Sequence, residues 1–110
     1  LYLVGNTAYL VLYVQNPGNA TEYITNVTLN GNSCSFNHAS NTAIPPSSVA
    51  NSTTANGVAA INGIVAITSG TLAYLAYTCS GSYTPGVSYD GTIHLANGLK
   101  IPFTVTAQSG

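Results

Sequence analysis

The residues that could form a hydrolytic site are Asp90 and His94, which lie four positions apart in a chain with many serines. A Ser-His-Asp site requires the carboxylate and the imidazole to share a hydrogen bond. Four residues of an extended strand span about 13 Å, so the two side chains cannot meet if both lie on the strand predicted there. The chain also lacks a G-x-S-x-G turn. We therefore expect no enzymatic activity, and we interpret Asp90 as a turn or surface carboxylate beside Gly91.

A metal site is the second kind of chemistry to consider. Cys34 and His38 are close in sequence, and Cys79 and His94 could complete a set of four ligands. The alternative is a disulfide, with both histidines at the surface; two cysteines in a secreted β-domain favour this alternative. Closing a loop of about 45 residues would stabilise the fold by about 4 kcal/mol on the chain-entropy model. We predict a Cys34–Cys79 disulfide and neither metal nor any other cofactor.

Three asparagines, Asn19, Asn26 and Asn51, each begin an N-x-S/T sequence, the acceptor signal for N-linked glycan. Asn19 lies beside a predicted turn and Asn51 in a long predicted loop, where a bulky sugar would be tolerated. Asn26 lies within a predicted strand, where attachment is more restricted. We predict covalent glycan on at least one of these sites in a host that glycosylates secreted proteins.

The chain is almost free of charge. Charged residues make up 3% of it, against about a quarter in an ordinary soluble protein, and they are Glu22, Asp90 and Lys100. Such a chain cannot neutralise a run of phosphates or an anionic lipid surface, so we expect no nucleic-acid partner. Its 45% apolar content excludes disorder. Solubility must come from uncharged polar side chains, from attached sugar or from burial against other copies.

The elements that would position these residues are β-strands, because stretches rich in Val, Ile, Thr and Tyr alternate with turn signals. Gly5-Asn6 suits a type II′ turn, Asn16-Pro17-Gly18 a type II turn, and Asn30-Gly31 and Asn97-Gly98 type I′ turns. The predicted strands are Leu1 to Val4, Thr7 to Gln15, Glu22 to Leu29, Ser33 to Phe36, Val58 to Thr68, Thr71 to Cys79, Val87 to Ala96 and Leu99 to Ala107.

Two features complicate a simple sheet. The stretch from Asn37 to Asn56 has no periodicity and predicts a long surface loop, with a short strand near Ile44. The segments Ala8 to Val14 and Leu72 to Ala76 are apolar on both faces, so the outer face of each must also be covered. Either these strands lie at the centre of a wrapped core, or neighbouring subunits cover them.

These elements predict one all-β domain over residues 1–110, an immunoglobulin-like antiparallel β-sandwich of about seven to nine strands. Tyr77-Thr78-Cys79 repeats the spacing of the immunoglobulin tyrosine corner, in which a tyrosine hydroxyl bonds to nearby backbone. The longest apolar run, Ala8 to Val14, is shorter than the roughly 20 residues that a membrane span needs. A single secreted domain is therefore expected.

Four stretches carry a resemblance to a known family. They are the apolar opening strand, Val14 to Gly18, Ile24 to Gly31 and Thr92 to Phe103. Over nearly its whole length the chain resembles the globular head of archaeal type IV pilins, the adhesion-pilus subunits of thermophilic crenarchaea. The resemblance implies an extracellular, cell-surface filament of identical copies, in which N-terminal helices bundle in the core and glycan-coated heads form the outer sheath. No helix precedes Leu1 in this sequence, so we expect a processed form or a fragment.

Two other functions stay open. In donor-strand filaments, such as archaeal threads and bundling pili, a terminal strand of one subunit completes the sheet of the next. A secreted carbohydrate-binding module would instead use some of the eight tyrosines as a sugar platform, although the chain has no Trp. The filament interpretation implies the chain itself as the main partner, with other surfaces or pili as further contacts.

The sparse charge predicts stability in acid. Acid unfolds proteins mainly by protonating carboxylates that are paired in the native state, and the side chains offer only Glu22 and Asp90. We expect the melting temperature to change little between neutral pH and pH 2, as measured by circular dichroism. A melting temperature that collapses over this range would contradict the prediction.

Overall fold

A computed structural model of the chain describes residues 1–109. They form ten strands and one 3-10 turn at Pro46–Ser48, which confirms the all-β prediction. Within these residues, no helix has the length and apolar composition needed to cross a membrane. The strands are β1 (Tyr2–Val4), β2 (Thr7–Gln15), β3 (Glu22–Leu29), β4 (Asn32–Ser40), β5 (Val58–Ile61), β6 (Ile64–Ile67), β7 (Leu72–Cys79), β8 (Ser88–Leu95), β9 (Lys100–Thr106) and β10 (Gln108–Ser109).

The strands form one continuous sheet that folds over itself into two layers. One layer has the order β10-β1-β2-β7-β4, and the other contains β9-β8-β3-β6-β5. All pairs are antiparallel except β1 with β10. The layers join at β3, whose second half pairs with β4 while its first half pairs with β6. On the other edge of β3, its pairing with β8 has a register shift between Ile24 and Asn26, at the same level of the strand.

The core lies between the layers. Alternate residues of β2 and β7 point inward and meet inward residues of β3, β6 and β8, among them Leu10, Leu75, Val27, Val65 and Ile93. A glycine is required at one point of this contact. A Cβ on Gly91 would lie 2.5 Å from the carbonyl oxygen of Thr28 and still closer to the Phe103 ring. The burial therefore follows from strand alternation, with Gly91 allowing the close approach of β3 and β9 to β8.

The outer face of the first layer is covered by the chain itself. Ile44 and Val49, from the segment between β4 and β5, are buried with Ala76 of β7 in a second apolar cluster. Tyr9 and Val11 of β2 pack around it. No strand forms near Ile44; the segment instead folds across the sheet. The wrapped alternative for the doubly apolar strands therefore holds where this segment lies.

This segment is closed at its neck by an asparagine pair. The backbone N–H of Asn56 donates to Oδ1 of Asn41 at 2.7 Å, and Nδ2 of Asn41 donates to the Asn56 carbonyl at 3.2 Å. The same amide nitrogen also donates to the Leu72 carbonyl at the start of β7. We call residues 41–57 the cover. Because both its ends are tied beside β7, the long segment stays close to the apolar face that it must keep dry.

A buried asparagine organises the turn after β2. Asn16 donates from Nδ2 to the carbonyls of Ala20 and Ile67, and its Oδ1 accepts the Gly18 N–H. Its own backbone bonds to Thr71 and Gly70. Gly18 lacks the positive φ of a type II turn, so that prediction is wrong. The side chain, rather than the glycine, turns the chain here.

Other turns match their dipeptides in part. Gly5 has a φ of 61°, as the type II′ prediction requires, and Asn30-Gly31 has the two positive φ values of type I′. Asn97 does not have a positive φ; the Gly98 N–H instead donates to the Leu95 carbonyl, which makes a three-residue loop.

The predicted strand from Val58 to Thr68 is broken by a type I′ turn at Asn62-Gly63 into β5 and β6. This hairpin and β10 raise the strand count to ten.

Tyr77 is buried in the core beside Phe36, with 5.5 Å between ring centroids. Its hydroxyl has no hydrogen-bond partner among the residues described, so the chain has no tyrosine corner at this position. Burial raises the pKa of this hydroxyl above its usual value, because the phenolate would lose its hydration. The residue therefore adds bulk to the core but carries one unpaired polar atom.

Tyr77→Phe should remove a loss of stability in alkali. Unfolded Tyr77 ionises near its ordinary pKa of about 10, but the folded residue resists, so stability is present below pH ~10 and falls above it by about 1.4 kcal/mol per pH unit. The variant should lack this part of the slope in urea unfolding between pH 9 and 11. At pH 7 it should be as stable as the parent or up to about 1 kcal/mol more stable. Tyr13→Phe, at an exposed ring, should leave the slope unchanged; equal slopes in all three proteins would contradict the account.

Candidate functional site

The disulfide joins two directly opposed residues of neighbouring strands. Cys34 of β4 and Cys79 of β7 are register partners with 4.2 Å between their Cα atoms, and their sulfurs are bonded. The predicted bridge is therefore present, and neither thiol is left for metal binding. It differs from the immunoglobulin bridge, which links the two sheets, because here both cysteines lie in one sheet. On the other edge of β4, Cys34 pairs with Val27 of β3. The bridge therefore lies where the pairing of β4 with β3 ends and its pairing with β7 begins.

His38 holds the cover against β4. The side chain is 3% exposed, which corrects the expectation of a surface histidine. Its Nε2 lies 2.7 Å from the Val49 carbonyl oxygen, and its Nδ1 lies 2.7 Å from the Thr53 hydroxyl. Thr53 Oγ1 in turn lies 2.6 Å from the Ala39 carbonyl oxygen. One imidazole thus ties two points of the cover to the strand beneath, an arrangement that we call the His38 latch.

The latch gives each nitrogen of the His38 ring a hydrogen-bond partner. Carbonyl oxygens only accept, so Nε2 must donate to Val49. The Thr53 hydroxyl lies within hydrogen-bond distance of both Nδ1 and the Ala39 carbonyl oxygen, so both ring nitrogens have partners. The arrangement therefore acts as a structural tie, because both partners of His38 lie on the cover.

The remaining acid–base residues do not converge. Asp90 is exposed and accepts a hydrogen bond from the Thr104 hydroxyl at 2.8 Å, which confirms it as a surface carboxylate. His94 lies on the same strand opposite Lys100. Among residues 1–109, no three His, Cys, Asp or Glu side chains are grouped as a metal site would require. The two pairs considered from sequence, Asp90 with His94 and Cys34 with His38, therefore bring no reactive groups together.

All three glycosylation candidates have exposed asparagine side chains, but in different settings. Asn19 lies in the turn between β2 and β3. Asn26 lies at the register shift of β3 and lines a cleft between β4 and β5. Asn51 lies on the cover, two residues before Thr53 of the latch. The sites stay predictions, and the settings give Asn19 and Asn51 the most room.

An uncharged apolar surface lies on the outer face of the second layer. Ile61 is 70% exposed, Tyr23 47% and Ile64 40%. They surround a shallow hollow floored by alanines, and Tyr23, Ala66 and Ala59 stand in one row across three strands. We call this set the β5 patch; it consists of Tyr23, Ala59, Ile61, Ile64 and Ala66. Isolated exposed apolar residues are ordinary, but a contiguous group of this kind marks a contact surface.

A pair of aromatic rings lies on the opposite outer face. Tyr13 and Tyr74 are register partners on β2 and β7, and their ring centroids are 4.9 Å apart. Tyr13 is 54% exposed. Tyr74 packs against the apolar cluster formed with the cover, so it is mainly the Tyr13 ring that faces solvent at this end of the first layer.

Comparison with protein families found no matching family, and comparison with curated proteins found no match. Function must therefore be argued from the surfaces just described. Sequence reasoning missed two of their components, the His38 latch and the β5–β6 hairpin that carries most of the β5 patch. The dipeptide Asn62-Gly63 is a signal that could have revealed the hairpin.

Thr53→Val should weaken the latch. The change removes the hydroxyl between His38 and Ala39 at nearly constant volume, leaving a carbonyl and a ring nitrogen to find new partners. We expect the free energy of unfolding to fall by about 1 to 2 kcal/mol in urea titrations. Thr54→Val is the matched control, because its side chain makes no hydrogen bond in the structure, and it should change stability by less than about 0.5 kcal/mol. Equal losses in the two variants would show that the latch contributes nothing.

Proposed function

We propose that this chain is a structural subunit of an extracellular archaeal filament, a type IV adhesion pilus, whose β-sandwich forms the outer sheath. The observation that carries the proposal is the β5 patch on a domain with three charged residues. Contacts between copies would cover that patch without leaving any charge unpaired, since it contains none. The chain's main partner is therefore a second copy of itself.

The other surfaces support a role outside the cell. A disulfide persists in oxidising surroundings, which include the cell exterior and not an ordinary cytosol. Exposed asparagines in three acceptor sequences would carry glycan on the outside of a sheath, where sugar also supplies the hydration that charge does not.

A second function is favoured by one observation, the Tyr13–Tyr74 ring pair, in which Tyr13 is exposed. Aromatic rings on a flat sheet face can stack against sugar rings, so the domain could bind carbohydrate at this end. A glycan array separates the two proposals. Two results together would favour the sugar-binding module over the filament: glycan binding that is lost in Tyr13→Ala, and a parent protein that stays monomeric at high concentration.

Electron microscopy of native material tests the filament directly. We expect fibres in which this domain forms the outer layer. A helical core inside the fibres would support the pilus arrangement, whereas fibres without a core would favour assembly that rests on strand exchange alone. Native protein that is monodisperse and monomeric at high concentration would overturn the proposal.

Ile61→Asp should impair assembly. The change places an unpaired carboxylate in the β5 patch, and we expect the concentration needed for assembly to rise by about tenfold or more, as measured by sedimentation. Leu99→Asp is the control, because Leu99 is 55% exposed but lies between β8 and β9 and is not a member of the patch. Both variants should melt like the parent. Assembly that is equally tolerant of both changes would remove the patch from the interface.

A further inference from the structure

We propose that the cleft between β4 and β5 receives an extended strand from a second copy of this chain. The inference rests on the proposed self-assembly and goes beyond it, because it assigns a backbone contact at a particular sheet edge. It is distinct from the β5 patch, which uses the side chains of the outer face.

The first wall of the cleft is the free edge of β5. In a hairpin closed by a two-residue turn, the residues flanking the turn exchange both backbone hydrogen bonds, and every second pair does the same. Ile61 pairs with Ile64 and Ala59 with Ala66 in this way. The bond from Thr68 N–H to the Gly57 carbonyl continues the same alternation. The N–H and C=O groups of Val58 and Ala60 therefore point away from β6, towards the cleft.

The second wall is β4. Cys34 directs its backbone groups to Val27 of β3, because that pair lies two residues from the turn pair Leu29–Asn32. By alternation the backbone N–H and C=O groups of Ser35 bond to β7, and those of Phe36 point away from β7. Beyond Phe36 a register shift follows, and the Ala39 carbonyl is taken by Thr53 of the latch. Phe36 thus presents an unpaired donor and acceptor on the side opposite Val58 and Ala60.

The two walls face one another across an open space. One cleft of about 380 Å³ is lined by Phe36 and Ala60, and an adjoining cleft of about 180 Å³ is lined by Phe36, Val58 and Ala60. The cleft begins at Thr25 and Asn26 of β3, between the residues that pair with β6 and those that pair with β4. Backbone donors and acceptors on both sides of a gap match an extended peptide, which carries the same groups on its two edges.

The opposite edge of the second layer is protected, and β5 is not. Leu95 and Leu99 are hydrogen-bonded at the β8–β9 loop, and hydrogen-bonded pairs alternate with non-bonded pairs from there. Pro102, opposite Thr92, falls in a non-bonded pair, so its backbone nitrogen faces the open edge of β9. A proline there has no N–H to offer, and neighbouring Lys100 adds a charge; both are known ways of preventing strand addition. Strand β5 reads Val58-Ala59-Ala60-Ile61, with neither proline nor charge. The chain thus blocks one edge and leaves the other available.

The lack of charge favours a second copy as the occupant. The walls named above carry no charged side chain, so a charged strand entering the cleft would lose hydration without gaining an ion partner. The chain itself is 97% uncharged by composition, since charged residues make up 3% of it, and its strands are rich in small and β-branched residues. Its own segments therefore meet the requirement of an uncharged extended partner.

Hydrogen exchange on native filaments tests the inference at single amides. In the dispersed subunit the Val58 and Ala60 amides should exchange rapidly, while those of Ala59 and Ile61 are protected by β6. In filaments we expect exchange at Val58 and Ala60 to slow by about 100-fold or more, because each then donates to the incoming strand. Exchange at Ala60 that is equally fast in both states would overturn the strand contact while leaving filament formation, and thus the proposed function, intact.

Ala60→Pro provides the second measurement. Its nitrogen faces the cleft, so the change removes an edge donor and no bond to β6. We expect assembly to require about tenfold more protein, the effect of losing one contact between chains, whereas Ala60→Val, which keeps the N–H, should assemble like the parent. Assembly of Ala60→Pro at the parent concentration would overturn the inference. If the parent itself does not assemble, the proposed function fails and this inference fails with it.

Discussion

Strands β2 and β7 carry apolar side chains on both faces, and keeping both faces dry is the constraint on which the rest of the structure depends. One face is met by the second layer, through Leu10 and Leu75. The other is met by Ile44 and Val49, which arrive on a segment without regular strands. A sandwich of two layers alone would leave that second face in water. The long segment between β4 and β5 is therefore a third, partial layer, and its length is explained by the distance it must cover.

A segment without regular strands can form such a layer only if its polar backbone is satisfied, and here asparagine and histidine side chains do this. Asn41 closes the neck of the cover, and His38 ties its middle. Asn16 does the same at the turn after β2. Hydrogen bonds from such side chains fix irregular backbone without the aid of ion pairs. This is how a chain with three charged residues can still specify its loops.

Local patterns predicted the regular parts of the molecule, and tertiary contacts decided the rest. The bounds of β3 could be predicted because strand propensity is a local property of the sequence. The pairing of Cys34 with Cys79 could be predicted because the chain has only two cysteines. The Asn-Gly dipeptides show the limit. Asn30-Gly31 and Asn62-Gly63 adopt type I′ turns, but Asn97-Gly98 lies in a three-residue loop, since the register of the flanking strands sets the loop length. The His38 latch could not be predicted, because its partners lie 11 and 15 residues away in a stretch with no period.

The position of the disulfide has a consequence for damage to the exposed part of the chain. Cys34 precedes the cover and Cys79 follows it, so the bond brackets the whole of residues 41–57. Exposed loops are the preferred sites of proteolytic nicking. A protease that cut the cover once would leave two fragments still covalently joined through β4 and β7, in register and with the core between the layers intact. A nicked subunit would thus keep its place among its neighbours, and the cut would be visible only after reduction.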